Sequence, residues 1–131
     1  MRALVNLSSN LNPQVNLEEA LAALSKAAYV VDSSQLRITE DRLGSLNPYF
    51  NVVVLLQSSG EEALERLCSD TEDQQGRDRE KEKQSLQVPL DIDVLATELD
   101  SGEWQFVEKR LPWAEEVAAG VEDLGLGYLL S

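Results

Sequence analysis

Asn51-Val52-Val53-Val54-Leu55-Leu56-Gln57 is the stretch that decides the fold. Three valines and two leucines in a row leave neither face polar, and β-branched residues dominate. Such a segment predicts a strand in a central position of a sheet.

The chain on either side supplies partners. Ala3 to Leu7 is a short apolar run and predicts a buried first strand, broken by Ser8-Ser9-Asn10. Asn16 and Glu19 have the spacing of a capping box. Leu17, Ala20, Leu21 and Leu24 follow at helical spacing, so a helix is expected over 17–27. Tyr29-Val30-Val31 opens a β-like stretch that continues through Leu36 and Ile38, and Glu40 to Pro48 reads as a loop. Beyond the central strand, Ser59 is the expected cap of a second helix, with Ala63, Leu64 and Leu67 as its buried stripe. Asp70 to Gln87 is almost wholly polar, which predicts a functional or a disordered loop. Leu90 to Leu95 is the next strand. Asp100-Ser101-Gly102 turns it back through Trp104-Gln105-Phe106-Val107. Pro112 is expected to open a short helix ending near Gly120, and the Gly- and Leu-rich tail 121–131 gives no clear element.

The resulting plan is βαββαβ within one domain, 1–131. The fold class expected is α+β: a ferredoxin-like sandwich whose antiparallel sheet carries its helices on one face, with an added C-terminal hairpin. The opposite face is then free for a ligand. The stretch 72–87 is the candidate for a mobile loop.

Composition narrows the chemistry. The 131 residues contain no histidine and one cysteine, Cys68, so Ser-His-Asp catalysis, His- or Cys-rich zinc sites and intrachain disulfides are excluded. Cys68 sits near Leu64 and Leu67 and reads as a small buried hydrophobe. A formal charge of −13 speaks against nucleic-acid and anionic-membrane partners. It suits either plain solubility or anions met through divalent cations. The single cysteine and the lack of a secretory signal predict a cytoplasmic setting.

Asp91 and Asp93 stand two apart on one strand, so both carboxylates point to one face while Leu90, Ile92 and Val94 point into the core. Like charges that close raise each other's pKa unless a cation lies between them. Magnesium favours one or two carboxylates with phosphate oxygens. The pair is thus either a magnesium-nucleotide cradle or two solvated acids on a strand edge. Arg77 and Arg79 in the polar loop have the chemistry to grip phosphate; the alternative is a charge-mixed surface loop. Asn51 can present a donor and an acceptor to a pyrimidine-like edge with Tyr49 as a wall, or else the two only shape a turn. Trp104 and Trp113 read as packing residues, Trp113 with a further option of stacking on adenine.

Together these pieces resemble the pterin pyrophosphokinases of folate biosynthesis. The likeness runs through Leu7-Ser8-Ser9-Asn10-Leu11, Tyr49-Phe50-Asn51, Glu72 to Arg79 and Leu90-Asp91-Ile92-Asp93, in order over about residues 1–96. It implies transfer of pyrophosphate from ATP to 6-hydroxymethyl-7,8-dihydropterin, with ATP and a pterin as the small-molecule partners. Asp91 and Asp93 would hold magnesium, Tyr49 and Asn51 would line the pterin pocket, and Arg77 and Arg79 would be the catalytic arginines closing over the triphosphate. Departures point to an alternative. Ser8 stands for an expected glycine, an Arg-Trp pair and a following arginine after Arg79 are missing, and Leu111-Pro112-Trp113 lacks the family's histidine. That alternative is a catalytically degenerate homologue that binds a nucleotide, a pterin or another protein.

Overall fold

The central position expected for the 51–57 segment is the one it occupies in the computed structural model, which describes residues 1–40 and 47–130. The chain runs β1 (Arg2–Ser9), α1 (Pro13–Ala27), β2 (Tyr29–Ser33), β3 (Arg37–Thr39), β4 (Tyr49–Gln57), α2 (Glu61–Gln74), α3 (Arg79–Ser85), β5 (Asp91–Glu98), β6 (Trp104–Phe106) and α4 (Glu115–Asp123). Short 3-10 turns cover Glu108–Arg110 and Gly127–Leu130. The six strands form one antiparallel sheet in the order β2-β4-β1-β5-β6, with β3 also paired to β4. The fold is α+β.

Strand parity builds two cores. Ala3, Val5 and Leu7 of β1 share one face with Val52, Val54 and Leu56 of β4 and Ile92 of β5. This face is covered by Leu17, Ala20 and Leu24 of α1 and by Leu64 and Cys68 of α2. The second face holds Leu4, Val53, Leu55 and Leu95, covered by Val117 and Val121 of α4 and by Leu126.

The expectation of helices on one face is therefore corrected. A sheet whose central strands are apolar on both sides exposes too much hydrocarbon to leave one face bare, and α4 covers part of it. It approaches closely because Gly120 has no side chain: a Cβ there would lie 2.5 Å from Val53 Cγ2.

The local expectations shift in several places. Helix α1 starts a turn early, with Pro13 at its head after Asn12 in a left-handed conformation (φ 43°). Asn16 instead donates its side-chain amide to the Leu11 carbonyl. Helix α2 is preceded by Gly60, not capped by Ser59. The polar stretch expected as a loop is mostly helical: α2 continues to Gln74 and α3 occupies 79–85. Asp78 caps α3 by accepting the amides of Glu80 (3.0 Å) and Lys81 (3.3 Å). A cap and ion pairs replace the missing apolar stripe. The helix expected to open at Pro112 runs from Glu115 to Asp123. The hairpin turn forms as expected, with Gly102 at φ +87°. Most of the loop expected over Glu40–Pro48 lies outside the described residues. Among the described residues, no helix is long and apolar enough to cross a membrane.

Candidate functional site

Helix α4 covers only one end of the second face. At the other end the side chains turn polar, and a cleft of about 450 Å³ opens there. Register lines up its floor. Ser8 of β1 pairs with Asn51 of β4 on one side and with Asp91 of β5 on the other, and Asn6 pairs with Asp93. Tyr49 lies at one wall, and Lys109, Arg110 and Trp113 line the cleft from the segment after β6.

The start of β5 is fixed by Asn10. Its side-chain oxygen accepts the Val88 amide (2.5 Å) and its nitrogen donates to the Leu86 carbonyl (2.9 Å). This ties the end of β1 to the segment that delivers Asp91. Asn51 is buried, and its amide donates to Thr39 Oγ1 (3.1 Å) and the Tyr49 carbonyl (3.4 Å). Asn6 is also buried, and its Oδ1 has no hydrogen-bond partner among the described residues. A buried polar atom left unpaired is costly, and it sits beside the two aspartates.

Both aspartates meet arginines. Arg110 Nη2 lies 2.8 Å from Asp93 Oδ1. Arg77 Nη1 donates to Asp91 Oδ1 at 2.6 Å, to Glu72 Oε2 at 2.8 Å and more weakly to the Leu90 carbonyl, while its Nε donates to Glu82 Oε2 at 3.0 Å. Glu72 in turn accepts the Ile92 amide at 2.8 Å. Burial pushes the Asp93 carboxyl up to about 6; the charge of Asp91 adds to this and Arg110 opposes it. Burial likewise raises Glu72, against the pull of the Ile92 amide and Arg77. Burial works against the charge of Arg77, yet hydrogen bonds to Asp91 and Glu82 outweigh it and hold the guanidinium ionised.

The donor set suits magnesium. Two hard carboxylates project from one strand face, and a cation would offset both the burial that raises Asp93 and the neighbouring charge of Asp91. Among the described residues no group of three His, Cys, Asp or Glu side chains could hold a metal unaided. A cation here would complete its shell with ligand oxygens, which is magnesium's habit with phosphates.

Of the residues singled out in the sequence, Asp91, Asp93, Tyr49 and Asn51 lie together at this cleft. Arg77 touches Asp91 but does not line the cleft. Arg79 is exposed on α3 and does not line it either. Trp113 lines it and packs on Phe106 (ring centroids 5.7 Å apart), while Trp104 packs in the second core beneath Arg2. Cys68 is buried, and burial pushes its thiol up to about 12.

Four contributors were missed: Asn6, Glu72, Lys109 and Arg110. Glu72 did leave a signal, for Leu64, Cys68 and Glu72 fall at four-residue intervals on α2. A carboxylate in line with a buried stripe needs a buried partner. Arg110 left none, because the turn that brings it to β5 has no sequence signature.

Residues 4–117 match the model of the 7,8-dihydro-6-hydroxymethylpterin-pyrophosphokinase family. No curated protein matches the chain.

Proposed function

The chain belongs to the 7,8-dihydro-6-hydroxymethylpterin-pyrophosphokinase family of folate biosynthesis, and from that premise we propose how its cleft performs the family's reaction. The family transfers pyrophosphate from magnesium-ATP to a pterin alcohol. The pterin hydroxyl oxygen attacks the β-phosphorus of ATP, the bond from that phosphorus to the oxygen of the α-phosphate breaks, AMP leaves, and the hydroxyl proton is released. Phosphoryl chemistry of this kind demands alignment and charge neutralisation more than a covalent partner. That accords with a chain lacking histidine.

In this reading Asp91 and Asp93 hold magnesium, which neutralises phosphate charge when bound. Tyr49 and Asn51 border the pterin, with Asn51 already oriented by Thr39. Arg77 acts through Asp91, whose carboxylate it orients. Arg79, exposed on α3, is the arginine free to reach for the phosphate tail. The strand order supports a ferredoxin-like reading as well: β1-α1-β2 and β4-α2-β5 each skip one strand, and α1 and α2 share a face. A cytoplasmic setting suits the free thiol of Cys68.

One observation carries the proposal: Asp91, Asp93, Tyr49 and Asn51, from two strands separated by β1, border a single cleft. The test is AMP release that requires both ATP and 6-hydroxymethyl-7,8-dihydropterin and is lost in Asp91→Ala. A folded wild-type protein that releases no AMP overturns the catalytic reading. The ion pairs that engage both aspartates favour a second reading, a binding module without turnover. Calorimetric binding of magnesium-ATP without AMP release would select it.

A further inference from the structure

Strand β1 separates the two halves of the cleft. Tyr49 and Asn51, which border the heterocycle in the proposed reading, lie on β4, and Asp91 and Asp93 lie on β5. The attacking hydroxyl and the β-phosphorus have to meet between them, above β1. Register identifies the residue at that point. Ser8 pairs with Asn51 on one side and with Asp91 on the other, so its Cβ stands roughly 5 Å from each of theirs.

We propose that the Ser8 hydroxyl accepts a hydrogen bond from the hydroxyl of the bound acceptor, and so positions that acceptor and selects for alcohols. The inference rests on the reading of the cleft as a pterin pyrophosphokinase site. Ser8 is buried and lines the cleft, and its hydroxyl makes no hydrogen bond among the described residues. Two positions back on the same strand face, Asn6 also leaves its Oδ1 unpaired. Polar groups buried without partners do not help the fold. Leu4, next on that face, shows what the core uses. The polar floor of β1 is therefore explained by a ligand. Charge favours serine for the task. Glu40, Asp91, Asp93 and Glu116 already line the cleft, and a further carboxylate would repel phosphate. A serine hydroxyl accepts a hydrogen bond without adding charge. In the attack, the acceptor oxygen must turn a lone pair to the β-phosphorus while its proton points elsewhere. Ser8 Oγ gives that proton a direction and does not take it. The new oxygen–phosphorus bond forms as the bond to the α-phosphate oxygen breaks, AMP leaves, and the proton passes to water. The contribution is alignment. Serine here departs from the glycine expected for the family, so the hydroxyl is this chain's own addition to the shared reaction.

The test pairs a change in the protein with a change in the ligand. Wild type, Ser8→Ala and Ser8→Thr are titrated by calorimetry with 6-hydroxymethyl-7,8-dihydropterin and with 6-methyl-7,8-dihydropterin, which lacks the hydroxyl. Magnesium and α,β-methylene-ATP, whose α–β bridge resists cleavage, are present throughout, so binding is read without turnover. The preference for the hydroxymethyl ligand over the methyl one is expected to be about fivefold larger in wild type than in Ser8→Ala. Ser8→Thr keeps the hydroxyl and is expected to keep the larger preference. Melting curves add a readout that separates this role from a structural one. Ser8→Ala removes a buried hydroxyl that no protein group holds, so its Tm is expected at or above that of wild type. A clearly lower Tm assigns the hydroxyl to the fold and overturns the inference. The same preference in wild type and Ser8→Ala also overturns it, as does an equal loss of affinity for both pterins, and both results leave the proposed function standing. A wild type that binds neither pterin overturns the proposed function and this inference with it.

Discussion

Replacing Arg77 with alanine is expected to unfold this protein more readily, whatever it does to turnover. The side chain is 10% exposed, and its guanidinium stands within 3.0 Å of three carboxylates, those of Glu72, Glu82 and Asp91. Removing one member of a buried ion pair costs about 3–5 kcal/mol, because the partner is left charged and dry. Here water reaches part of the network, since Asp91 is 33% exposed, so the lower end applies, about 3 kcal/mol. Unfolding entropy of roughly 2.1 cal/mol/K per residue gives a chain of this length about 0.28 kcal/mol/K, so Tm should fall by about 11 °C. Thermal melts at pH 7 measure it. Lowering the pH should shrink the loss, because the orphaned carboxylates then take up protons. Hydrogen exchange adds a local check: the Ile92 amide, bonded to Glu72, should lose protection. A Tm within 3 °C of wild type, with Ile92 still protected, would show that Arg77 is not structural. It would return the residue to the role of a loop arginine acting on phosphate alone.

Two further perturbations test the site and the packing beside it. Asp93 holds its proton up to about 6 in the folded protein, against an ordinary value of 3.8, so the folded state binds that proton more tightly than the unfolded state does. Ionised Asp93 therefore costs stability above pH 6, and the cost fades as pH falls from 6 towards 4. Asp93→Asn should raise Tm at pH 8, leave it nearly unchanged near pH 4, and abolish magnesium-nucleotide binding; a lower Tm at pH 8 would contradict this. Gly120→Ala should lower stability by about 2 kcal/mol through overpacking, because its Cβ meets Val53 Cγ2 at 2.5 Å. Adding Val53→Ala should recover much of the loss in thermal melts, and strict additivity of the two changes would refute the contact.

Strand positions were legible because apolar runs and β-branching are local. β4, β1, β5 and the hairpin stand where the apolar runs and turn residues put them. The acid pair was legible for the same reason: two residues apart on a strand means one face. The 72–87 segment misled because helices are usually recognised by an apolar stripe. α3 has no buried residue and is held by Asp78 at its start and by Arg77 reaching Glu82. Those are contacts between polar side chains, which composition reads as solvated. The location of α4 was hidden for another reason. Gly120, the residue that lets it lie against the sheet, looks in sequence like a helix stop, and only the neighbouring Val53 gives it its other meaning.

The place of the cleft follows from where the second face stops being apolar. On β1 the face runs Leu4, Asn6, Ser8; on β4 it runs Leu55, Val53, Asn51; on β5 it passes from Leu95 to Asp93 and Asp91. Register sets these changes side by side: Asn6 pairs with Val53 and Asp93, and Ser8 pairs with Asn51 and Asp91. A helix covering the polar end would bury two aspartates without water, at a cost far above what its apolar contacts return. A bare apolar end would expose Leu4, Val53 and Leu55. Helix α4 meets both conditions by ending its apolar stripe, Val117 and Val121, over the hydrocarbon and presenting Glu116 and Val117 at the rim. The cleft is thus part of the folding solution, and its acids require cations to be tolerable. Arg77 and Arg110 provide them in the resting protein. Any ligand that takes the carboxylates must bring positive charge of its own and must offer the displaced guanidinium an anion. A magnesium-bound phosphate chain satisfies both halves of that exchange, whereas a bare cation satisfies only the first and a bare nucleotide only the second.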